Sequence, residues 1–394
     1  MLSARVKTIL WILVSVTATV LLPLIFFRPS ESDGWDAMNM RLNEMKYEAA
    51  ARRVPRSVLR GTPTPGNAWE QYDIAINGIA NKAETAFILK HFSLGAQRSD
   101  GQLPHSLAEK DPHGRARSAY GAIIVDLAVT QAQAAVESGK PQDALDLVLD
   151  TLVFAKDIST NGDVFSTTHG LEIYSSVFNG VRYLLQSRKL TSNQVAELAD
   201  KLKTVEKEFP DSETTLTNET MRIGFLLLES DEQGFDLVRR GEWRWAMSPR
   251  KTIAEAFRRR DEELQRIKAI DHMDFESAQQ ELGRIENESF AMRNTLVHES
   301  EINYGSFLFS RRKVLTHLRL LQAATTYLVS GQPNTIADPF GDKLFFRVDD
   351  KMLRIWSVGE NTKNDSGSGD WFGELDMVIE VPRPQQRQVL AKEQ

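Results

Sequence analysis

Cysteine is absent from all 394 residues of the chain. Its absence excludes disulfides, thiolate catalysis, cysteine-based zinc sites and lipid attachment through an N-terminal cysteine. Three catalytic patterns are missing as well: the G-x-S-x-G turn of serine hydrolases, the Walker A phosphate loop and the H-E-x-x-H helix of zinc proteases. The nearest fragment, His298-Glu299, lacks the second histidine of that helix. No assembled motif therefore identifies the chain as an enzyme.

Positive charge is in short supply beyond the N-terminus. The chain has 48 basic and 54 acidic residues, and Arg5, Lys7 and Arg28 are among the basic ones. Without those three, residues 29–394 hold 45 basic and 54 acidic residues, a formal charge of −9. A body this acidic repels phosphate backbones, so the composition predicts no nucleic-acid partner.

Residues 8–27, from Thr8 to Phe27, form a long uncharged run, TILWILVSVTATVLLPLIFF. As a helix, such a run spans about 30 Å, which is the thickness of a bilayer core. A cleaved signal peptide is the alternative, but its apolar region usually has only about 7–15 residues and ends at a small-x-small site. Here the run is longer and Arg28-Pro29 follows it, which favours an uncleaved anchor.

The charges on either side of this run predict its orientation. Arg5 and Lys7 precede it, whereas Glu31 and Asp33 follow it. The positive-inside rule then places the N-terminus in the cytoplasm and the rest of the chain in the periplasm. We therefore predict a single-pass protein of the inner (cytoplasmic) membrane, bound to the lipid bilayer through residues 8–27.

Apolar residues at helical spacing continue to about residue 330, which predicts a body made only of helices. Residues 68–92 are predicted as one helix. Residues 116–138 and 141–158 are predicted as an αα-hairpin, similar to a single tetratricopeptide-like unit that no second copy follows. The expected fold class is mainly α: an N-terminal transmembrane helix, an antiparallel multi-helix body and a small C-terminal antiparallel β-sheet module.

Turn-rich stretches divide the chain. Gly61-Thr62-Pro63-Thr64-Pro65-Gly66 predicts the first boundary because these residues favour turns. The predicted domains are a signal anchor (1–30), a juxtamembrane helix and linker (31–66), a helical body (67–313), a helix-plus-β module (314–381) and a disordered tail (382–394).

The best local group of metal-ligating residue types is Asp271-His272-x-Asp274-x-Glu276. It lacks the pair of histidines four residues apart that binds zinc on a helix, so it favours a polar junction between two helices. A metal site at His272 stays open as the alternative.

A basic and aromatic patch precedes a predicted helix restart at Thr252. It comprises Arg239, Arg240, Trp243, Arg244 and Trp245. Arginine and tryptophan anchor many protein interfaces, and tryptophan favours the membrane headgroup layer. Contact with an acidic partner or an anionic membrane is one interpretation; a helix corner with buried tryptophans and solvated arginines is the other.

Three C-terminal elements resemble a known family. Asp338-Pro339-Phe340-Gly341 follows an apolar helix, Ser357-Val358-Gly359 follows an aromatic strand, and Glu374-Leu375-Asp376 closes a polar loop. Together they resemble the globular end of the major pseudopilins of type II secretion systems, over about residues 314–381. The N-terminus departs from that family because residues 8–27 lack an acidic residue and a Gly-Phe junction. We therefore expect neither prepilin cleavage nor polymerisation; the layout resembles membrane-anchored bacterial proteins with a helical body and a pseudopilin-like tail.

This resemblance implies a calcium site at Ser357, Asn361, Glu374 and Asp376. Glu374 and Asp376 match the two closing acidic positions, and Ser357 would contribute its main-chain carbonyl. Asn361 stands where the family has an aspartate, so the site would carry less charge than is usual for calcium. The alternative is a hairpin loop with solvated acids and no cofactor.

The sequence as a whole favours a non-enzymatic protein of the bacterial envelope, held by one anchor, with a helical body and a β-tail that form a structure or contact an envelope protein. Two other functions stay open: an envelope hydrolase that uses carboxylates or a His/Asp metal site, and an accessory contact with a secretion assembly.

Overall fold

The computed structural model describes residues 31–51, 56–102, 114–159, 162–232, 249–291, 304–349, 351–373 and 375–382. The predicted anchor (8–27), the basic and aromatic patch (239–245), Glu374 and the tail beyond 382 lie outside these described residues. Of the helices within them, none combines the length and apolarity that crossing a bilayer requires.

Eleven helices and five short strands make up the described part of the chain. The helices are α1 (Glu31–Ala51), α2 (Trp69–Ala80), α3 (Thr85–Ala96), α4 (Gly114–Glu137), α5 (Pro141–Ser159), α6 (Val164–Gln186), α7 (Ser192–Lys207), α8 (Ser212–Glu232), α9 (Pro249–Ile270), α10 (Phe275–Ala291) and α11 (Tyr304–Ser330). The strands are β1 (Thr64–Asn67), β2 (Arg98–Asp100), β3 (Phe345–Val348), β4 (Met352–Ser357) and β5 (Met377–Pro382). The mainly helical class and the small C-terminal antiparallel sheet are confirmed.

One large apolar core runs through most of the body and includes the C-terminal sheet. Helices α4, α5 and α6 pack in sequence order, and α11 lies against α6, α7, β4 and β5. The predicted αα-hairpin is confirmed by α4 and α5. Its bend is at Gly139, which adopts the positive φ of 77° that ends helices at a glycine.

A second, smaller core joins α1 to α8 and α9. Met38, Leu42 and Met45 of α1 are buried against apolar residues of the two later helices, such as Phe257. Contact with α8 is close because Gly224 has no side chain: an added Cβ there would lie 2.6 Å from Leu42 Cδ2.

The C-terminal sheet has the order β3-β4-β5, and both pairings are antiparallel. Helix α11 crosses the predicted boundary at residue 314, and its apolar residues belong to the same core cluster as Leu353 and Ile379 of the sheet. The sheet therefore rests directly on the helical body.

Two expectations for the N-terminal part of the body were wrong. Residues 68–92 form two helices, because Lys82 takes a positive φ of 56° and the amides of Lys82 and Ala83 bond back to Ile79 and Gly78. This hydrogen-bond pattern is a Schellman motif, which usually has glycine where Lys82 stands.

The second error concerns strands. The residues predicted as a turn-rich linker include β1, which pairs in parallel with β2, so the chain before residue 330 is not purely helical. The pairing joins segments about thirty residues apart in sequence, which periodicity within either segment cannot reveal.

Candidate functional site

The Asp338 carboxylate joins two of the C-terminal sequence elements. Its Oδ1 accepts hydrogen bonds from Ser357 Oγ (2.7 Å) and from the amide of Phe340 (3.0 Å). Its Oδ2 accepts from the amide of Val358 (3.1 Å). Burial raises the pKa of the Asp338 carboxyl, and these hydrogen bonds oppose the rise. The D-P-F-G turn and the S-V-G turn are therefore held together by one buried side chain.

We expect Asp338→Asn to lower the free energy of unfolding by about 1–3 kcal/mol, the cost of leaving a buried donor unsatisfied. An amide has one acceptor oxygen, so one of the three donors would face the new NH₂ group. Chemical denaturation of the full chain measures the change. Asp342→Asn, at an exposed carboxyl in the same turn, is the control and should have a small effect. Equal effects of the two substitutions would contradict this role of Asp338.

The Asp376 carboxylate organises the polar loop before β5. It is fully buried, and it accepts hydrogen bonds from the amides of Gly367 (2.7 Å) and Asp365 (3.2 Å). Close packing requires a glycine at 369, because an added Cβ would lie 1.8 Å from the Asp376 carbonyl oxygen. The carboxylate thus fixes the loop through main-chain donors.

The positions of the implied calcium site serve other contacts. Ser357 Oγ donates to Asp338, and the Asn361 side chain donates to Asp365 Oδ2 (2.7 Å) and accepts from the amide of Lys363 (2.9 Å). Glu374 lies outside the described residues. The structure brings no three His, Asp or Glu side chains of the described ranges together as a metal-binding group. The side-chain oxygens of Ser357, Asn361 and Asp376 thus already have hydrogen-bond partners within the protein.

We therefore expect the thermal unfolding temperature to be the same in excess calcium and in a chelator. A bound ion at about 100 times its dissociation constant would instead add about 2.7 kcal/mol of stability. Scanning calorimetry of the full chain distinguishes these outcomes. An unfolding temperature that is higher in calcium than in the chelator would support the implied site.

Trp371, in the same loop, is held by two helices. Its indole ring stacks on the imidazole of His317 in α11, with centroids 4.2 Å apart and planes 13° apart. His317 Nε2 donates to the carbonyl oxygen of Trp371 (2.8 Å), and the Arg182 guanidinium of α6 lies 5.1 Å from the indole ring centre. Burial lowers the pKa of His317 to about 4, and the cations Lys313 and Arg182 lower it further. The loop is thereby fastened to the helical body.

Buried charges fasten the segment before β1 to α5. The Arg56 guanidinium makes a bidentate pair with Asp157, with distances of 2.7 and 2.6 Å, and Tyr72 Oη donates to the same carboxylate at 2.9 Å. Arg60 makes the same kind of pair with Asp150, with both distances 2.7 Å. Burial opposes the charge of Arg56, but hydrogen bonds and charge from Asp157 outweigh it and raise the pKa of the guanidinium.

Sequence reasoning missed this network. The signal was present: Asp150 and Asp157 lie among the apolar residues in the second half of α5, and acidic residues are rarely buried unless they are paired. The identity of the partners was not present, because Arg56 lies 101 residues from Asp157.

The group at residues 271–276 is a polar helix junction, as the sequence favoured. Asp271 accepts from Ser212 (2.6 Å) and Arg311 (3.0 Å), and Asp274 caps α10 by accepting from the amide of Ser277 (2.9 Å). His272 is exposed at the turn between α9 and α10. The structure thus uses these acids to join helices.

An open cleft of about 630 Å³ lies between α10 and α11. It is lined by Gln279, Leu282, Gly283 and Glu286 of α10, by Gly305, Ser306, Phe309, Ser310 and Lys313 of α11, and by Glu360. The residues of α10 recur at helical spacing on one face, as do those of α11. Small side chains on both helices leave the cleft wide, and Leu282 and Phe309 give it an apolar wall.

Comparison of the chain with protein-family models, with curated proteins and with solved structures found no match. The residues and their geometry are therefore the basis for assigning a function.

Proposed function

We propose that the chain is a membrane-anchored, externally facing structural or interaction protein of the bacterial envelope. The uncharged run at residues 8–27 would hold it in the inner membrane, with the N-terminus in the cytoplasm and the body in the periplasm. The β-tail would complete the body and present a surface to an envelope protein.

The observation that carries this proposal is the attachment of residues 56–60 to α5. Arg56 and Arg60 follow the predicted juxtamembrane helix and are each bound bidentately to a buried aspartate of α5. Such fixed ion pairs suit a body that is mounted on an anchor. The buried acids Asp157, Asp338 and Asp376 likewise hold segments of the chain together, which is a structural use of charge.

Accessory contact with a secretion assembly is a second proposal. It is supported by the contact between the D-P-F-G and S-V-G turns through Asp338, because these are two of the elements that resemble major pseudopilins.

Reporter fusions test the location. Alkaline phosphatase is active only outside the cytoplasm, so a C-terminal phosphatase fusion of the full chain should be active. The same fusion without residues 1–30 is the control and should be inactive. A fusion that is active only with a cytoplasmic reporter, such as a fluorescent protein, would overturn the proposed orientation.

Crosslinking in intact membranes, followed by purification and mass spectrometry, tests the interaction. We expect an envelope protein to be recovered above the level of an unrelated anchored protein. Recovery of none would count against an interaction role and would leave the location untouched.

A further inference from the structure

Helix α1 begins close behind the predicted anchor. Only residues 28–30 separate Phe27, the last residue of the uncharged run, from Glu31, the first residue of α1. The four steps from Phe27 to Glu31 span at most about 14 Å, even in a fully extended chain. With residues 8–27 in the bilayer, as the proposed function has it, the start of α1 is held within about 14 Å of the hydrocarbon core.

Two contacts show that α1 and α9 run in the same direction. An added Cβ at Gly34 would lie 3.4 Å from Ala254 Cβ, and Arg41 Nε lies 3.1 Å from Asp261 Oδ2. Both pairs of residues are 220 positions apart, so the two helices advance together. Helix α9 therefore begins level with the beginning of α1.

Helix α8 runs in the opposite direction and ends at the same level. Early in α8, Thr217 Oγ1 accepts a hydrogen bond from Lys268 Nζ (2.7 Å), near the end of α9. Later in α8, an added Cβ at Gly224 would lie 2.9 Å from Phe257 Cε2, nearer the start of α9. The start of α1, the end of α8 and the start of α9 are thus at one end of a three-helix unit. We call it the anchor-side end, with Trp35 and Arg250 as its described side chains.

Trp35 and Arg250 suit the headgroup layer of a membrane. Arg250 is exposed in the first turn of α9, and its guanidinium carbon lies 5.2 Å from the centre of the half-buried Trp35 ring. Tryptophan favours the headgroup layer, where its ring has apolar surroundings and its N–H finds an acceptor. Arginine binds phosphate through paired N–H donors.

The charges of residues 28–36 and 249–251 are balanced. A purely anionic surface is therefore not the favoured ligand; a phospholipid headgroup, in which a phosphate adjoins an ammonium group, complements both signs. The basic residues are Arg28, Arg250 and Lys251, and the acidic ones are Glu31, Asp33 and Asp36.

We infer that the anchor-side end rests on the membrane surface, with Trp35 and Arg250 among phospholipid headgroups and with α1 and α9 pointing away from the bilayer. The proposed anchor is the premise of this orientation. Ile270, at the other end of α9, is about 30 Å from Arg250 at 1.5 Å per residue. The turn at His272 is then held far above the lipid, on the side of the body that is open to an envelope protein.

Nitroxide quenching in liposomes measures this orientation. The chain has no cysteine, so single fluorescent labels are placed through Asp36→Cys, next to Trp35, and through His272→Cys, beyond the other end of α9. Both native side chains are exposed. The labelled full chain is reconstituted in phosphatidylcholine liposomes in which some lipids carry a nitroxide on the headgroup. We expect quenching at position 36 and none at position 272; quenching at both positions, or at neither, would overturn the inference.

Charge reversal tests the contact itself, because the short tether alone keeps position 36 near the lipid. Arg250→Glu should lose most of the quenching at position 36, whereas Arg250→Lys, which keeps the charge, should retain it. Arg258→Glu is the control, since Arg258 is an exposed arginine two turns further along α9. Undiminished quenching in Arg250→Glu would mean that the tether acts alone, and loss in Arg258→Glu as well would mean that position 250 is not special; each result would contradict the contact.

Flotation separates this inference from the proposed anchor. The native full chain should float with the liposomes and stay with them in alkaline carbonate, as an integral membrane protein does. A chain that does not float removes the anchor and the orientation together. A chain that floats but gives equal quenching at positions 36 and 272 removes only the orientation.

Discussion

Replacement of Asp157 by asparagine should lower the free energy of unfolding by about 3–5 kcal/mol, the usual cost of removing one partner of a buried ion pair. The Asp157 side chain is 2% exposed and that of Arg56 is 7% exposed. The substitution leaves the Arg56 guanidinium buried opposite a neutral amide and weakens the hydrogen bond from Tyr72. Urea denaturation of the full chain, followed by circular dichroism, measures the loss.

The control for Asp157→Asn is the same substitution in an exposed pair. Asp200 and Lys203 of α7 are 3.1 Å apart, but their side chains are 76% and 61% exposed. Solvent screens such pairs, so Asp200→Asn should cost at most about 1 kcal/mol. A loss below about 1 kcal/mol for Asp157→Asn would show that Arg56 can leave the site or find another partner.

A double variant separates the value of the pair from the cost of breaking it. Arg56→Met combined with Asp157→Leu removes both charges and leaves apolar groups of similar volume. Replacements of this kind are often neutral or stabilising, so the double variant should be more stable than Asp157→Asn alone. If both are equally unstable, packing rather than unpaired charge explains the loss.

Local signals predicted much of the helical fold. Thr191 and Gln194 form a capping box at the start of α7, and Gly139 ends α4 through its positive φ. The break between α9 and α10 falls at residues 271–274, as the polar residues there indicated. Each of these features depends on residues within a few positions of one another, which a sequence pattern can show.

Contacts between distant segments were not predictable in the same way. Lys82 ends a helix in a conformation that usually requires glycine, so periodicity gave one helix instead of two. The pairing of β1 with β2 and the stacking of Trp371 on His317 both join segments that only the folded chain brings together. A residue pattern within one segment does not identify its partner in another.

The candidate site shows the same limit. The resemblance to pseudopilins implied Ser357, through its main-chain carbonyl, and Asp376 as calcium ligands, and both residues are fully buried at the C-terminal turns. In the structure the Ser357 hydroxyl donates to Asp338, and the Asp376 carboxylate accepts from two main-chain amides. Buried carboxylates need donors, but residue type alone does not say whether a cation or the backbone supplies them.

Acid should destabilise the protein through His317. The pKa of His317 falls from its ordinary 6.5 to about 4 in the folded chain, with burial as the main cause. Between these pH values the unfolded chain binds a proton that the folded chain excludes. The contribution of His317 to the free energy of unfolding is therefore fully present above about pH 6.5 and is lost as the pH drops towards 4. At about 1.4 kcal/mol for each pKa unit, this histidine accounts for a loss of about 3 kcal/mol.

His317→Phe isolates that contribution. Phenylalanine can still stack on Trp371 but cannot bind a proton, so the variant should keep more stability between pH 6.5 and 4 than the native chain does. Buried acids such as Asp338 and Asp150 have raised pKa values and act in the opposite direction, but they are common to both proteins and cancel in the difference. Urea denaturation of both proteins at pH 7.5, 5.5 and 4.5 gives that difference. If the free energies of unfolding of the two proteins change with pH in parallel over this range, His317 binds a proton in the folded chain. The Trp371 loop would then be held less tightly against α11 than its geometry indicates.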